Sequence, residues 1–131
     1  MNPNLMTPQR LDLPLVTNAD RIVMTQWLDP ETGEPIPIAS AAMTLRFDQL
    51  PKTFDADGNV IPPAPPVYFA IDDIDETGFG DGIVRATVRS AIWAELDGRT
   101  GEWDLVAVST DSLRACLLRG EFVCEEGITI P

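Results

Sequence analysis

The sequence predicts an all-β protein, an antiparallel sandwich of about seven short strands with one short helical turn and a long proline-rich loop. Three observations carry this. Apolar residues recur at a period of two in short runs along most of the chain, turn-forming residues separate the runs, and helical spacing is confined to residues 90–96. A chain of 131 residues suits one domain. A sandwich of about 100 residues leaves room for an arm and one long loop. The reading is therefore an N-terminal arm over residues 1–10 and a sandwich domain over residues 11–131, with the long loop at 50–66.

The arm is polar, with prolines at Pro3 and Pro8. Residues 11–16 alternate Leu11, Leu13 and Leu15, but Pro14 has no N–H for a ladder, which places this run at a sheet edge. Residues 21–28 put Ile22, Met24 and Leu28 on one face and Val23, Thr25 and Trp27 on the other, so both faces read as covered and the strand as central. Residues 29–35 place Pro30 early and Gly33 late, the chemistry of a hairpin loop. Met43, Leu45 and Phe47 then alternate with Ala42, Thr44 and Arg46, a half-buried strand with one wet face.

Residues 50–66 hold Pro51, Pro62, Pro63, Pro65 and Pro66 around an Asp-Gly turn, so they cannot pair along their length. This excursion is the first candidate for a binding element. Val67, Phe69 and Ile71 restore alternation, and Asp72, Asp73, Asp75 and Glu76 with Gly78, Gly80 and Gly82 read as a mobile acidic loop. Val84, Ala86 and Val88 face inward, opposite Arg85, Thr87 and Arg89. Ser90, a plausible N-cap, opens a helical turn with Ile92 and Leu96, which crosses from one sheet to the other. The last two runs make a hairpin. Trp103, Leu105 and Ala107 share one face, residues 109–112 reverse the chain, and Cys116, Leu118, Phe122 and Cys124 share the returning face, with Gly120 marking a bulge or close packing.

The net charge of −12 argues against nucleic-acid and anionic-membrane partners, which it would repel. No run is long enough to span a bilayer, and the first residues have neither the basic nor the apolar region of a secretory leader. Assembly in a reducing cytoplasm follows, in keeping with two unpaired cysteines. Cys116 and Cys124 lie eight residues apart on one strand, and at about 3.3 Å per residue they cannot reach each other.

Catalytic chemistry is poorly provided for. The chain has no histidine, which removes the commonest general base and every Ser-His or Cys-His pair. No cofactor fingerprint is present, and Gly78–Gly82 is set among acids that repel phosphate. Asp55, Asp57 and Asn59 look like the opening of a calcium loop, but the closing acid is missing and an Asp-Gly turn explains them. Asp72, Asp73, Asp75, Glu76 and Asp81 could pair as acid and base, though sequence does not fix their separation. Trp27, Trp93 and Trp103 read as core anchors.

Gly101, Trp103, Asp104, Leu105 and Ala107, then Leu117, Leu118, Gly120, Phe122 and Cys124, form a pattern that resembles the small Ig-like β-sandwich structural proteins of tailed bacteriophages. Residues 27–38 and 43–47 extend the likeness, which spans most of residues 12–124; the proline-rich insert and the arm depart from it. The resemblance implies an Ig-like sandwich that is not an enzyme and needs no cofactor. It implies a virion component of tail, baseplate or neck, assembled in the host cytoplasm as a homo- or hetero-oligomer with other virion proteins. Docking would use a sheet edge, the arm (Asn2, Leu5, Pro8) and the loop (Pro62, Pro63, Pro65, Pro66). A capsid decoration protein is one alternative, and a host-surface or carbohydrate-binding sandwich is another.

Overall fold

The computed structural model describes residues 8–16, 18–47, 56–59, 67–92 and 100–125. They form β1 (Gln9–Arg10), β2 (Leu13–Val16), β3 (Arg21–Gln26), β4 (Ile38–Phe47), β5 (Val67–Ile71), β6 (Ile74–Asp75), β7 (Ile83–Val88), β8 (Thr100–Ser109) and β9 (Arg114–Glu125). A large sheet runs β1-β9-β8-β4-β5, with β2 also on β9, and a small one runs β3-β7-β6. This is the strand grouping of an immunoglobulin-type sandwich: β3, β7 and β6 take the places of strands B, E and D, and β9, β8, β4 and β5 those of G, F, C and C′. No cysteine lies on β3 or β8, and both are free thiols on β9.

The inward alternation of both sheets builds one core. Met43, Leu45 and Phe47 from β4, Val84, Ala86 and Val88 from β7, Trp103, Leu105 and Ala107 from β8, and Phe122 from β9 are all buried in it. The β8–β9 hairpin turns at Thr110 and Asp111, where the Ser109 hydroxyl accepts from the Asp111 and Leu113 N–H groups and Ser112 takes a positive φ of 67°.

The chain's first strand is where the architecture departs from a plain antiparallel sandwich. Gln9–Arg10, the last two residues of the stretch read as an arm, and Leu13–Val16 both pair in parallel with β9. Between them the ladder breaks at Leu11 and Asp12. There the Leu11 N–H donates to the Arg119 carbonyl (2.9 Å), and the Asp12 carboxylate accepts the Glu121 N–H (3.0 Å) in place of a backbone carbonyl. The Trp103 indole N–H closes the same point from below, donating to the Leu11 carbonyl at 2.9 Å. Pro14 lies exposed on this edge strand, as its missing N–H requires.

Four expectations are corrected. β3 is not central: β7 is, and β3 is the edge of the small sheet. Val23 and Trp27 are buried, whereas Ile22, Met24 and Leu28 stand 50%, 66% and 39% exposed. Nor does Cys116 share a face with Cys124. The register shifts between Leu105 and Val106, so that Leu118 faces Leu105 and Cys116 faces Val106. Leu117 is thus the extra residue of a bulge, and Cys116 is turned to the outer face.

Residues 72–82 are not a loose loop either. They contain β6 and a 3-10 turn at Phe79–Asp81 whose phenylalanine is buried. The Trp27 N–H donates to the Gly82 carbonyl (2.8 Å), and Arg89 Nε donates to Asp73 at 2.7 Å. Lastly, the helical turn is 3-10 over Ser90–Ile92. Ser90 is its first residue rather than its cap, since its N–H donates to the Asp20 carboxylate at 2.7 Å; residues 93–99, with Trp93 and Leu96, lie outside the described residues.

Candidate functional site

Register decides which outward side chains of the large sheet become neighbours. Arg46 on β4 faces Tyr68 on β5 and Glu102 on β8, and Glu102 faces Glu121 on β9. In the next row Thr44 faces Asp104, Asp104 faces Arg119, and Arg119 faces Arg10. These two rows floor an open cleft of about 670 Å³, with Pro8 at its margin and Cys116 beside Asp104 and Arg119.

The charges in the cleft are arranged in offsetting pairs. Glu102 and Glu121 are directly opposed, which is unfavourable for like charges. Each has its own arginine: Arg46 lies 3.9 Å from Glu102 and Arg10 lies 3.6 Å from Glu121, while Arg10 also reaches Asp12 at 3.2 Å. Partial desolvation pushes the Asp104 carboxyl above its ordinary value, and the Arg119 guanidinium pulls it partly back. Burial, reinforced by the negative charge of Asp104, also raises the Cys116 thiol. That thiol donates to the Leu118 carbonyl at 3.3 Å. Held protonated, it is a poor nucleophile at neutral pH.

The acids of residues 72–81 do not converge. Asp73 is paired with Arg89, and the Asp75 carboxylate accepts from the Thr77 hydroxyl (2.6 Å) and N–H (2.9 Å), bonds that hold its pKa below the ordinary value. Among the described residues, no group of three cysteine or acidic side chains is placed to hold a metal ion. Asp57 and Asn59 are exposed in a turn in which Gly58 has a positive φ of 80°, as an Asp-Gly turn requires; Asp55 lies outside the described residues.

Of the residues expected to dock, Pro8 is half-buried at the cleft margin. Asn2, Leu5, Pro62, Pro63, Pro65 and Pro66 lie outside the described residues. Trp27 and Trp103 are core residues at 2% and 3% exposure, so neither offers a ring to a ligand. The sequence did not point to Arg10, Arg46, Asp104 and Arg119 as a group. Each sits at an outward position of a different strand, and only the strand order assembles them. Among the described residues no helix is long and apolar enough to cross a membrane.

No family model matches the chain, and no curated protein matches it.

Proposed function

We propose that the chain is a non-enzymatic structural subunit of a tailed-bacteriophage virion, a tail, baseplate or neck component held in place by neighbouring subunits. The observation that carries this reading is a pair of strand edges with no partner strand among the described residues: β3 in the small sheet and β5 in the large one. Such edges present backbone donors and acceptors that attract another chain, and a domain that works alone blunts them. The six residues of β3 and the five of β5 include neither proline nor lysine. The pattern over residues 101–124 supports the phage class, and the arm and the proline-rich loop supply further docking segments.

Immunogold labelling of purified phage particles tests the reading. Gold confined to the tail, baseplate or neck supports it; gold over the head would favour a capsid decoration protein. Absence of the chain from purified particles would overturn the virion assignment.

One observation favours a host-surface module instead. Tyr68 is 63% exposed in the cleft beside Arg46, an aromatic and a planar donor side by side as glycan sites use them. Tyrosine ring shifts on titration with host glycans would support that reading, and an unchanged spectrum would remove it.

A further inference from the structure

The open edge of β3 has a definite hydrogen-bonding phase. The Trp27 N–H donates to the Gly82 carbonyl at 2.8 Å, and the same register pairs Thr25 with Val84, Val23 with Ala86 and Arg21 with Val88. In an antiparallel ladder hydrogen-bonded pairs alternate with non-bonded ones. The other ladder of β7 agrees, because the Thr87 N–H donates to the Asp73 carbonyl on the β6 side. The backbone groups of Ile22, Met24 and Gln26 therefore point away from β7, and nothing pairs with them among the described residues.

The same residues carry the exposed apolar side chains. Ile22 is 50% and Met24 66% exposed on the outer face. Six-residue edges of this kind are what natural sheets protect with lysine, proline or a covering loop. In most immunoglobulin-type sheets strand A lies beside B; here the first strand is on β9 instead, so among the described residues no strand lies along the outer side of β3.

We infer that β3 pairs with β3 of a second copy, antiparallel about a twofold axis through Val23. In that register Ile22 of one copy faces Met24 of the other, twice over. Both members of each pair have their N–H and C=O groups directed at the partner, so each pair exchanges both bonds. All four apolar side chains fall on the same face and cover one another, and the small sheets join into one continuous sheet, β6-β7-β3-β3-β7-β6. A closed twofold contact of this kind is the commonest symmetry of self-association.

Charge does not oppose a second copy at this edge. The molecule carries a net charge of −12, yet residues 21–28 contain a single charged side chain, Arg21. In the proposed register Arg21 faces Thr25 of the partner, so no like charges oppose. Two acidic molecules can approach along this strip without bringing carboxylates together. The inference rests on the geometry of β3 and holds whether or not the chain belongs to a virion.

Disulfide trapping tests both the contact and its register. In a Cys116→Ser background, Ile22→Cys and Met24→Cys proteins are oxidised separately and as an equimolar mixture. Facing residues of a hydrogen-bonded pair lie about 5.5 Å apart at Cα, within disulfide reach. Like residues of the two copies are offset by two positions along the strand and fall beyond the limit of about 7 Å. The expected result is a covalent dimer in the mixture alone. No dimer in any sample overturns the self-pairing and leaves a foreign strand as the occupant; a dimer from Met24→Cys alone overturns the register.

Met24→Pro provides the second measurement. Its lost N–H faces the open edge, so the β3–β7 ladder is spared and the β-rich circular dichroism should persist. Sedimentation equilibrium should show a concentration-dependent dimer for the native chain and its loss in Met24→Pro. A dimer that survives the proline with the fold intact overturns the proposal.

Discussion

A methyl group on Gly120 would collide with the Leu11 carbonyl oxygen, the group that also accepts the Trp103 indole N–H. Gly120→Ala must therefore push the first strand off β9 or bend β9 itself. We expect a loss of about 1–3 kcal/mol, the usual cost of overpacking, in urea unfolding. A change under about 0.5 kcal/mol would show that the edge yields freely. Asp104 makes the opposite case, a residue the fold tolerates at a cost. Partial desolvation on the cleft floor raises its carboxyl above the ordinary value, so the ionised form is disfavoured in the folded chain relative to the unfolded one. The sign follows: Asp104→Asn should raise the melting temperature at neutral pH. That gain should fade as pH falls through the folded pKa toward the unfolded value of about 3.9. A gain that persists below pH about 3 would place its origin elsewhere.

At the level of elements, β4, β7 and β8 were legible because each buries one face and wets the other, which period-two spacing encodes directly. β9 was legible only in part. Leu117 and Leu118 are both apolar, and alternation cannot tell which of two adjacent leucines is the extra residue, so the bulge and the reversal of Cys116 emerge only from pairing with β8. The far half of β9 is unaffected: Phe122 is fully buried, and Phe122→Ala should cost about 3–5 kcal/mol in denaturant unfolding. A loss under about 1 kcal/mol would contradict its burial. The bulge also separates the two thiols. A thiol reagent should modify half-buried Cys116 slowly in the native chain and leave buried Cys124 untouched until unfolding, when both react without reductant. Equal native reactivity would mean that Cys116 and Cys124 share an environment after all. β3 differs from its sequence pattern for another reason. Ile22, Met24 and Leu28 have the apolar character of a second buried face, and a single chain's sequence does not record whether the cover comes from the same molecule.

For the whole molecule, the cleft could not be read in advance. Arg10, Arg46, Asp104 and Arg119 come from four strands spread over most of the chain, and their adjacency is a product of strand order and register. The first strand, by contrast, sets a limit on truncation. Because β1 begins at Gln9, removal of residues 1–8 should leave the circular dichroism and melting temperature unchanged within error; a loss of the β spectrum would give those residues a part in the fold. The two sheets also share an asymmetry. In the large sheet one side ends in β2, interrupted at Leu11–Asp12 and carrying Pro14, and the other in β5. In the small sheet one side ends in the two-residue β6 and the other in β3. Among the described residues each sheet thus has one receptive margin and one sterile margin. Pairing of β3 with β3 about a twofold axis consumes both small-sheet margins at once, so any growth beyond the dimer has to pass through β5.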